Sequence, residues 1–202
     1  MILTLVRHGE TEWNRLQKCQ GASDIPLNET GKMQSRRLGE ALKGERIDAI
    51  FSSGLSRAAE TARAIAGHHG LDIGVKSEFR EMDQGDFEGA QFSEIREKHS
   101  KEMEMWAKDP ETFRIPGGES LGEVQARALR GVESLAANWP DGNIVVVTHN
   151  LTIISMLCLF TGEPLSVKKF RIDATSKTVV SCSGGGYRIT AVNDTSHLDG
   201  AQ

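Results

Sequence analysis

Aromatic residues are scarce: three tryptophans, seven phenylalanines and one tyrosine supply 5% of the 202 residues, and the formal net charge is -4. A nucleic-acid binder usually shows the opposite, a basic stripe with aromatics along it for base stacking, so a small molecule is the expected partner. Long apolar runs are missing too. None approaches the ~20 residues that span a bilayer, and the apolar start, Met1 to Val6, is too short for the core of a signal peptide. No membrane association is therefore expected. Cysteine is limited to Cys19, Cys158 and Cys182, odd in number and without a Cys-x-x-Cys pair, which argues against a disulfide framework or a zinc site. Reduced thiols in the cytoplasm, with no metal and no cofactor, are the expectation.

What is present reads as one α/β domain over residues 1–202. Ile2 to Val6, Ile47 to Phe51 and Ile144 to Thr148 are short β-branched runs without a polar face, as expected of strands buried on both sides of a parallel sheet. Helical sequence follows each. Gly31 to Leu42 has helical periodicity, Ser56 to Ala66 is Ala-rich behind an N-cap serine, and Leu151 to Phe160 reads as a buried helix. Ser120 and Glu123 form a capping box ahead of a helix whose apolar face is Val124, Ala128, Val132 and Leu135. This alternation predicts a doubly wound, mostly parallel sheet flanked by helices. Phe92, Ile95, His99, Met103 and Trp106 fit one amphipathic helix inside a short cap-like excursion over residues 87–118, and Met82, Met103, Met105 and Met156 would serve as core or lid fillers. Gly184-Gly185-Gly186 predicts a closing hairpin, whose outer edge can pair two subunits into a homodimer.

Two histidines occupy equivalent places. His8 directly follows the first strand and His149 the strand Ile144 to Thr148, so both stand at the carboxyl edge of the sheet, where ligands bind in open α/β folds. Arg7 stands beside His8, and Arg57 lies in the first turn of the helix after the Ile47 to Ser52 strand, near a helix N-terminus. A single histidine at a strand end is commonly structural. Two histidines and two arginines at strand ends are harder to dismiss, because buried charges there call for an anion to pair them. The set suits a phosphoryl group.

Arg7-His8-Gly9-Glu10-Thr11 with Trp13 and Asn14 resembles the histidine phosphatase superfamily, also called the phosphoglycerate-mutase-like family. The likeness continues through Leu27 to Gly31, Ser52 to Ala58, Glu60-Thr61-Ala62, Arg80-Glu81, Gly85, Glu88-Gly89, Pro116 to Ser120 and Thr148-His149, in order along nearly the whole chain. The resemblance implies a phosphohistidine at His8, a phosphate pocket of Arg7, Arg57 and His149 with help from Asn14, and a proton donor at Glu81. Nearby guanidinium groups would keep the His8 imidazole neutral for in-line attack, and the arginines would take the place of a metal. Glu81 would be protonated when it meets the leaving oxygen, a state that the bound phosphate's charge favours. The family's acid-phosphatase branch places an aspartate after the second histidine, and the Glu81 branch usually a glycine; here the position is Asn150, which would accept a positive φ at some cost and add a side chain to the pocket. Gln20, Gly21 and Asn150 are the remaining expected substrate contacts.

The expected activity is hydrolysis of a small phosphomonoester, such as a phosphosugar, phosphoserine, phosphoglycerate or α-ribazole phosphate. A cofactor-dependent phosphoglycerate mutase is the alternative, set back by the absence of an Arg-Arg pair from the excursion, and a non-catalytic phospho-ligand module is a third reading. Arg96, Lys98, Lys108 and Arg114 are further candidate contacts, with a solvated helix surface as their simpler role. Cys182 and Arg188 have the spacing of cysteine-dependent phosphatases, but the alternating Tyr187, Ile189 and Ala191 place them in a hairpin.

Overall fold

The computed structural model describes residues 1–199. In chain order the elements are β1 (Ile2–Arg7), α1 (Glu12–Arg15), α2 (Glu29–Leu42), β2 (Ala49–Ser52), α3 (Ser56–Ala66), β3 (Ile73–Val75), α4 (Phe92–Lys98), α5 (Ser100–Lys108), α6 (Leu121–Asn138), β4 (Asn143–Thr148), α7 (Asn150–Thr161), β5 (Lys177–Ser183) and β6 (Gly186–Asp194), with short 3-10 turns at Ser77–Phe79, Gly85–Phe87 and Ser196–Leu198. The strands form one sheet in the order β3-β2-β4-β1-β5-β6. β1, β2, β3 and β4 run parallel, whereas β5 pairs antiparallel with both β1 and β6. The mixed sheet flanked by helices is the predicted class.

Period-2 alternation distributes the strand residues over two cores. Leu3, Leu5, Ile144 and Val146 pack with residues of α6 and α7 on one face, while Val6, Val145 and Val147 pack with residues of α2 and α3 on the other. Each such side chain contributes about 1.5–3 kcal/mol when fully buried. The central strands are thus firmly anchored, and their carboxyl ends make a rigid support. Register does the rest: Arg7 lies opposite Thr148, so the residues that follow, His8 and His149, are neighbours.

Several local expectations shift. β2 begins at Ala49 rather than Ile47, because the Asp48 amide donates to the Asn143 carbonyl (2.9 Å) while the Asn143 amide donates to the Asp48 carboxylate (2.8 Å) instead of to its backbone. The sheet is entered there, and Ile47 packs beside it instead. β3 was invisible in the sequence, being three residues long with a central Gly74; a Cβ at Gly74 would lie 2.5 Å from the Phe51 ring, so only glycine lets this edge strand close. Ser56 is not an N-cap. Leu55 holds that position without a side-chain bond, and the Ser56 amide and hydroxyl donate instead to the Asp24 carboxylate (2.7 and 2.8 Å). The single helix expected from Phe92 to Trp106 is two, broken at His99 (φ -124°, ψ 38°), whose ring packs on Phe87 with centroids 5.0 Å apart. Met82 and Met103 belong to the core or pack against it, but Met105 is 54% exposed and fills nothing. The capping box at Ser120 and Glu123 forms as expected. Gly184 and Gly185 take φ of 58° and 77°, turning β5 into β6 and leaving Cys182 and Arg188 on paired strands with no phosphate loop between them.

The segment after β1 is held by the start of α2 at very short range. A Cβ on Gly31 would sit 2.0 Å from the Glu10 carbonyl oxygen, and one on Gly9 would sit 2.6 Å from the Gly31 carbonyl. Backbone cannot yield as a flexible side chain can. Gly31→Ala should therefore cost about 1–3 kcal/mol of unfolding free energy, read from urea denaturation, and should displace His8 enough to lower activity as well.

Candidate active site

His8 is 2% exposed, and Arg57 and His149 have no exposed surface. The two imidazole rings are 5.1 Å apart at their centroids. Nδ1 of His8 lies 2.6 Å from the Gly9 carbonyl, which can only accept, so Nδ1 carries the proton and Nε2 keeps its lone pair. Arg57 Nε donates toward that lone pair at 3.3 Å. The other arms of the Arg57 guanidinium donate to the carbonyls of Ser23 (2.7 Å) and Gly21 (2.8 Å). The Gly9 amide donates to Thr61 Oγ1 (3.0 Å) on α3, which ties the His8 loop to the helix that carries Arg57.

Arg7 Nη1 donates to the Ile172 carbonyl (2.7 Å). Behind it, Thr175 takes a left-handed φ of 56° and donates its amide to the carbonyls of Arg7 (3.0 Å) and His8 (3.3 Å). Such a conformation for a β-branched residue persists only where the surroundings over-determine it. His149 Nε2 lies 2.8 Å from Ser53 Oγ; that hydroxyl accepts from the Leu55 amide (3.3 Å) and has no other acceptor among the described residues, so it donates to Nε2. The His149 proton is then on Nδ1. Nδ1 of His149 and Nε of Arg7 are both buried with no partner among the described residues. Buried donors are rarely left so, and an anion would satisfy both.

Glu81 is in a loop, between the turn at Ser77–Phe79 and that at Gly85–Phe87. Its carboxylate accepts from the Met82 amide (3.0 Å) and from the Leu151 and Thr152 amides (both 3.3 Å) at the start of α7. His8 is held well below the usual histidine range, by burial first and then by Arg57 and Arg7, so the guanidinium effect expected from sequence is real but secondary. His149 is depressed for the same reason, burial ahead of Arg57. Burial also brings Arg57 down to about 10, against Glu81, Asp24 and Glu88, which raise it; it remains a cation at neutral pH.

A cavity of about 550 Å³ opens over this group. Its lining includes Arg7, His8, Asn14, Gln20, Gly21, Glu81 and Asn150, so seven of the expected residues share one space, with Arg57 and His149 beneath. Asn14 Oδ1 is engaged with the Thr11 amide (3.1 Å) in a capping box, and Gln20 Oε1 accepts from Thr11 Oγ1 (2.5 Å). Gly21 has φ 51°, and a Cβ there would strike the Glu88 carboxylate at 1.9 Å. Asn150 differs from expectation: it is the first residue of α7, absent from the positive-φ set, so it reaches the cavity without backbone cost.

Arg96, Lys98, Lys108 and Arg114 do not line the cavity; the lysine that does is Lys18. Ser53 and Glu88 lie in the motifs that carry the resemblance, but the sequence assigns neither a role. Glu88 accepts from the Ala22, Ser23 and Gln84 amides (2.6, 2.8 and 3.1 Å) and from the Ser23 hydroxyl, holding the loop whose carbonyls grip Arg57. A carboxylate next to Gly89 in a Gly-rich turn was the only hint, and it does not say which amides it will meet.

These features define an α/β protein with a cationic, imidazole-lined pocket at its parallel strand ends. The sequence profile of the histidine phosphatase superfamily (branch 1) matches residues 3–195, and the chain belongs to that superfamily. Phosphoserine phosphatase 1 of Hydrogenobacter thermophilus is 34% identical over 197 residues, covering 97% of this chain and 93% of that protein. A probable phosphoglycerate mutase, GpmB, of Salmonella choleraesuis is 31% identical over 201 residues, covering 96% and 94%. The structure of Bacillus stearothermophilus YhfR superimposes with a TM-score of 0.92 at 32% identity, covering 98% of this chain and 99% of that one.

The depressed imidazoles have a consequence for stability. Below the ordinary histidine value of 6.5 the unfolded chain binds protons that folded His8 and His149 refuse. Their contribution is thus intact above that pH and lost as pH falls below it. Urea midpoints should drop between about pH 7 and about pH 5, and the drop should be smaller in His8→Gln.

Proposed function

We propose that the chain is a metal-independent phosphatase that hydrolyses a small phosphomonoester through a phosphohistidine at His8. The observation that carries this is the His8 Nε2 lone pair, fixed by the bond from Nδ1 to Gly9 and faced by the buried Arg57 guanidinium. Nε2 attacks phosphorus in line, and the ester P–O bond breaks as the P–N bond forms. Arg7, Arg57 and His149 bear the charge on the equatorial oxygens, which suits the two unpartnered donors on Arg7 and His149. Glu81 gives a proton to the departing alkoxide. Water then attacks phosphorus while Glu81 takes its proton; the P–N bond breaks as the new P–O bond forms, its electron pair returns to His8 Nε2, and phosphate leaves. Asn14, Gln20, Gly21 and Asn150 flank the ester from the cavity wall.

Residues 1–202 are read as a single domain, with 87–118 as a cap whose Phe92 and Trp106 line the cavity. That cap carries no Arg-Arg pair, which favours water over a phosphoacid as acceptor. The intact His8, Arg57, Glu81 and His149 favour turnover over mere binding. The phosphoserine phosphatase among the relatives supports a small carboxylate-bearing ester, for which Lys18 is a cation at the rim. Unpaired Cys19, Cys158 and Cys182 suit the cytoplasm, and the free edge of β6 is the surface through which two copies would pair. Among the described residues no helix is long and apolar enough to cross a membrane.

Incubation with a radiolabelled substrate and rapid acid-free quenching should trap label on the wild-type chain and none on His8→Ala. Absence of label together with no release of phosphate from p-nitrophenyl phosphate would sink the proposal. A panel of phosphoserine, 3-phosphoglycerate, sugar phosphates and α-ribazole phosphate ranked by kcat/KM should identify the ester, with rates unchanged by EDTA. Formation of 2-phosphoglycerate from 3-phosphoglycerate with 2,3-bisphosphoglycerate present would point to the mutase instead.

A further inference from the structure

Glu81 belongs to no helix or strand, yet a proton donor must meet the leaving oxygen within a fraction of an ångström. Its backbone is held from outside. Arg127, on α6, donates from Nη1 to the carbonyls of Glu78 (2.8 Å) and Arg80 (2.6 Å) and from Nη2 to the carbonyl of Glu81 itself (3.0 Å). The same guanidinium grips Glu119 bidentately, Nε to Oε1 and Nη2 to Oε2, both at 3.0 Å. Glu119 in turn accepts from the Asp83 amide (3.0 Å) and donates its own amide to the Asp83 carbonyl (2.9 Å). One planar fork therefore spans the chain on both sides of the acid.

The clamp is registered to the phosphoryl pocket. Thr148 Oγ1 donates to the Phe79 carbonyl (2.6 Å) and Thr152 Oγ1 to the Arg80 carbonyl (2.8 Å), from the strand and helix on either side of His149. Glycines permit the close fit on the far side: a Cβ on Gly118 would be 2.3 Å from the Asp83 carbonyl, and one on Gly85 would be 2.1 Å from the Pro116 carbonyl. Arg127 and Glu119 are 14% and 25% exposed, so solvent does not hold them apart. A lysine ammonium is a point donor and cannot satisfy three carbonyls and a carboxylate from one plane.

We propose that Arg127, locked by Glu119, is the positioning residue that aims the Glu81 carboxyl at the leaving oxygen, and so sets how well the enzyme handles esters whose alkoxide needs a proton. This rests on the reading of Glu81 as the proton donor. The test compares kcat/KM for p-nitrophenyl phosphate, whose leaving group departs without protonation, with that for whichever alkyl ester of the panel is turned over fastest. Arg127→Lys should lower the alkyl value by about 10²-fold and the aryl value by no more than roughly 3-fold, matching the pattern of Glu81→Gln. Glu119→Gln, a milder change that keeps one acceptor, should show the same discrimination at smaller size. Placed on Glu81→Gln, Arg127→Lys should add no further discrimination. Equal losses on both esters in Arg127→Lys and Glu119→Gln, or none on either, would overturn the clamp while leaving Glu81 in place. A Glu81→Gln variant that fails to discriminate would remove the acid assignment, and the clamp with it.

Discussion

A guanidinium with no exposed surface lies between two loop carbonyls and an imidazole lone pair, and the rest of the site is arranged around that Arg57 cation. Burying such a charge is costly unless its donors find partners. The Gly21 and Ser23 carbonyls meet part of that need, and their loop is kept in place by the Glu88 carboxylate. Gly21 must lack a side chain because the Glu88 carboxylate occupies the space where one would begin. The electrostatic demand of one buried arginine thereby constrains a loop, the glycine within it and an acid about 65 residues further along the chain.

The same burial sets the chemistry of His8. In water an imidazole would be partly protonated near neutral pH, and a protonated ring has no lone pair with which to attack. Exclusion of solvent lowers its proton affinity first, and the neighbouring guanidiniums lower it further. The Gly9 carbonyl then selects which nitrogen is bare. His149 is depressed by the same means but turned differently, with Ser53 on Nε2 and a buried donor left on Nδ1. Two identical side chains at equivalent strand ends thus keep different nitrogens free, the Nε2 lone pair on His8 and Nδ1 on His149, from one hydrogen bond each.

Much of this was legible in the order of residues. Strands buried on both faces need unbroken β-branched runs, and Ile2 to Val6 and Ile144 to Thr148 are such runs; the histidines after them had to stand at the sheet's carboxyl edge. Capping residues such as Ser120 act within a turn, so their effect can be read locally. Less local features were harder. β3 is a strand only because Phe51 lies over its glycine, the Phe92 to Trp106 helix breaks where His99 finds Phe87, and Ser56 turns from helix cap to ligand of Asp24. Each of these depends on a partner distant in sequence, which periodicity cannot supply.

By itself, then, the sequence determined the residue types of the candidate site: an arginine and a histidine at the end of the first strand, an arginine at the head of α3, a second histidine after β4, and a glutamate before a Gly-rich turn. Strand periodicity and motif order were enough for that, because those signals are local. Tertiary structure alone decided that β1 and β4 are adjacent, which nitrogen of His8 is free, that Asn150 enters the cavity from an unstrained helical start, and that Arg127 from α6 carries the loop of Glu81. Those outcomes turn on hydrogen-bond partners and dry contacts between segments up to about 140 residues apart, which exist only once folding has removed the water between them.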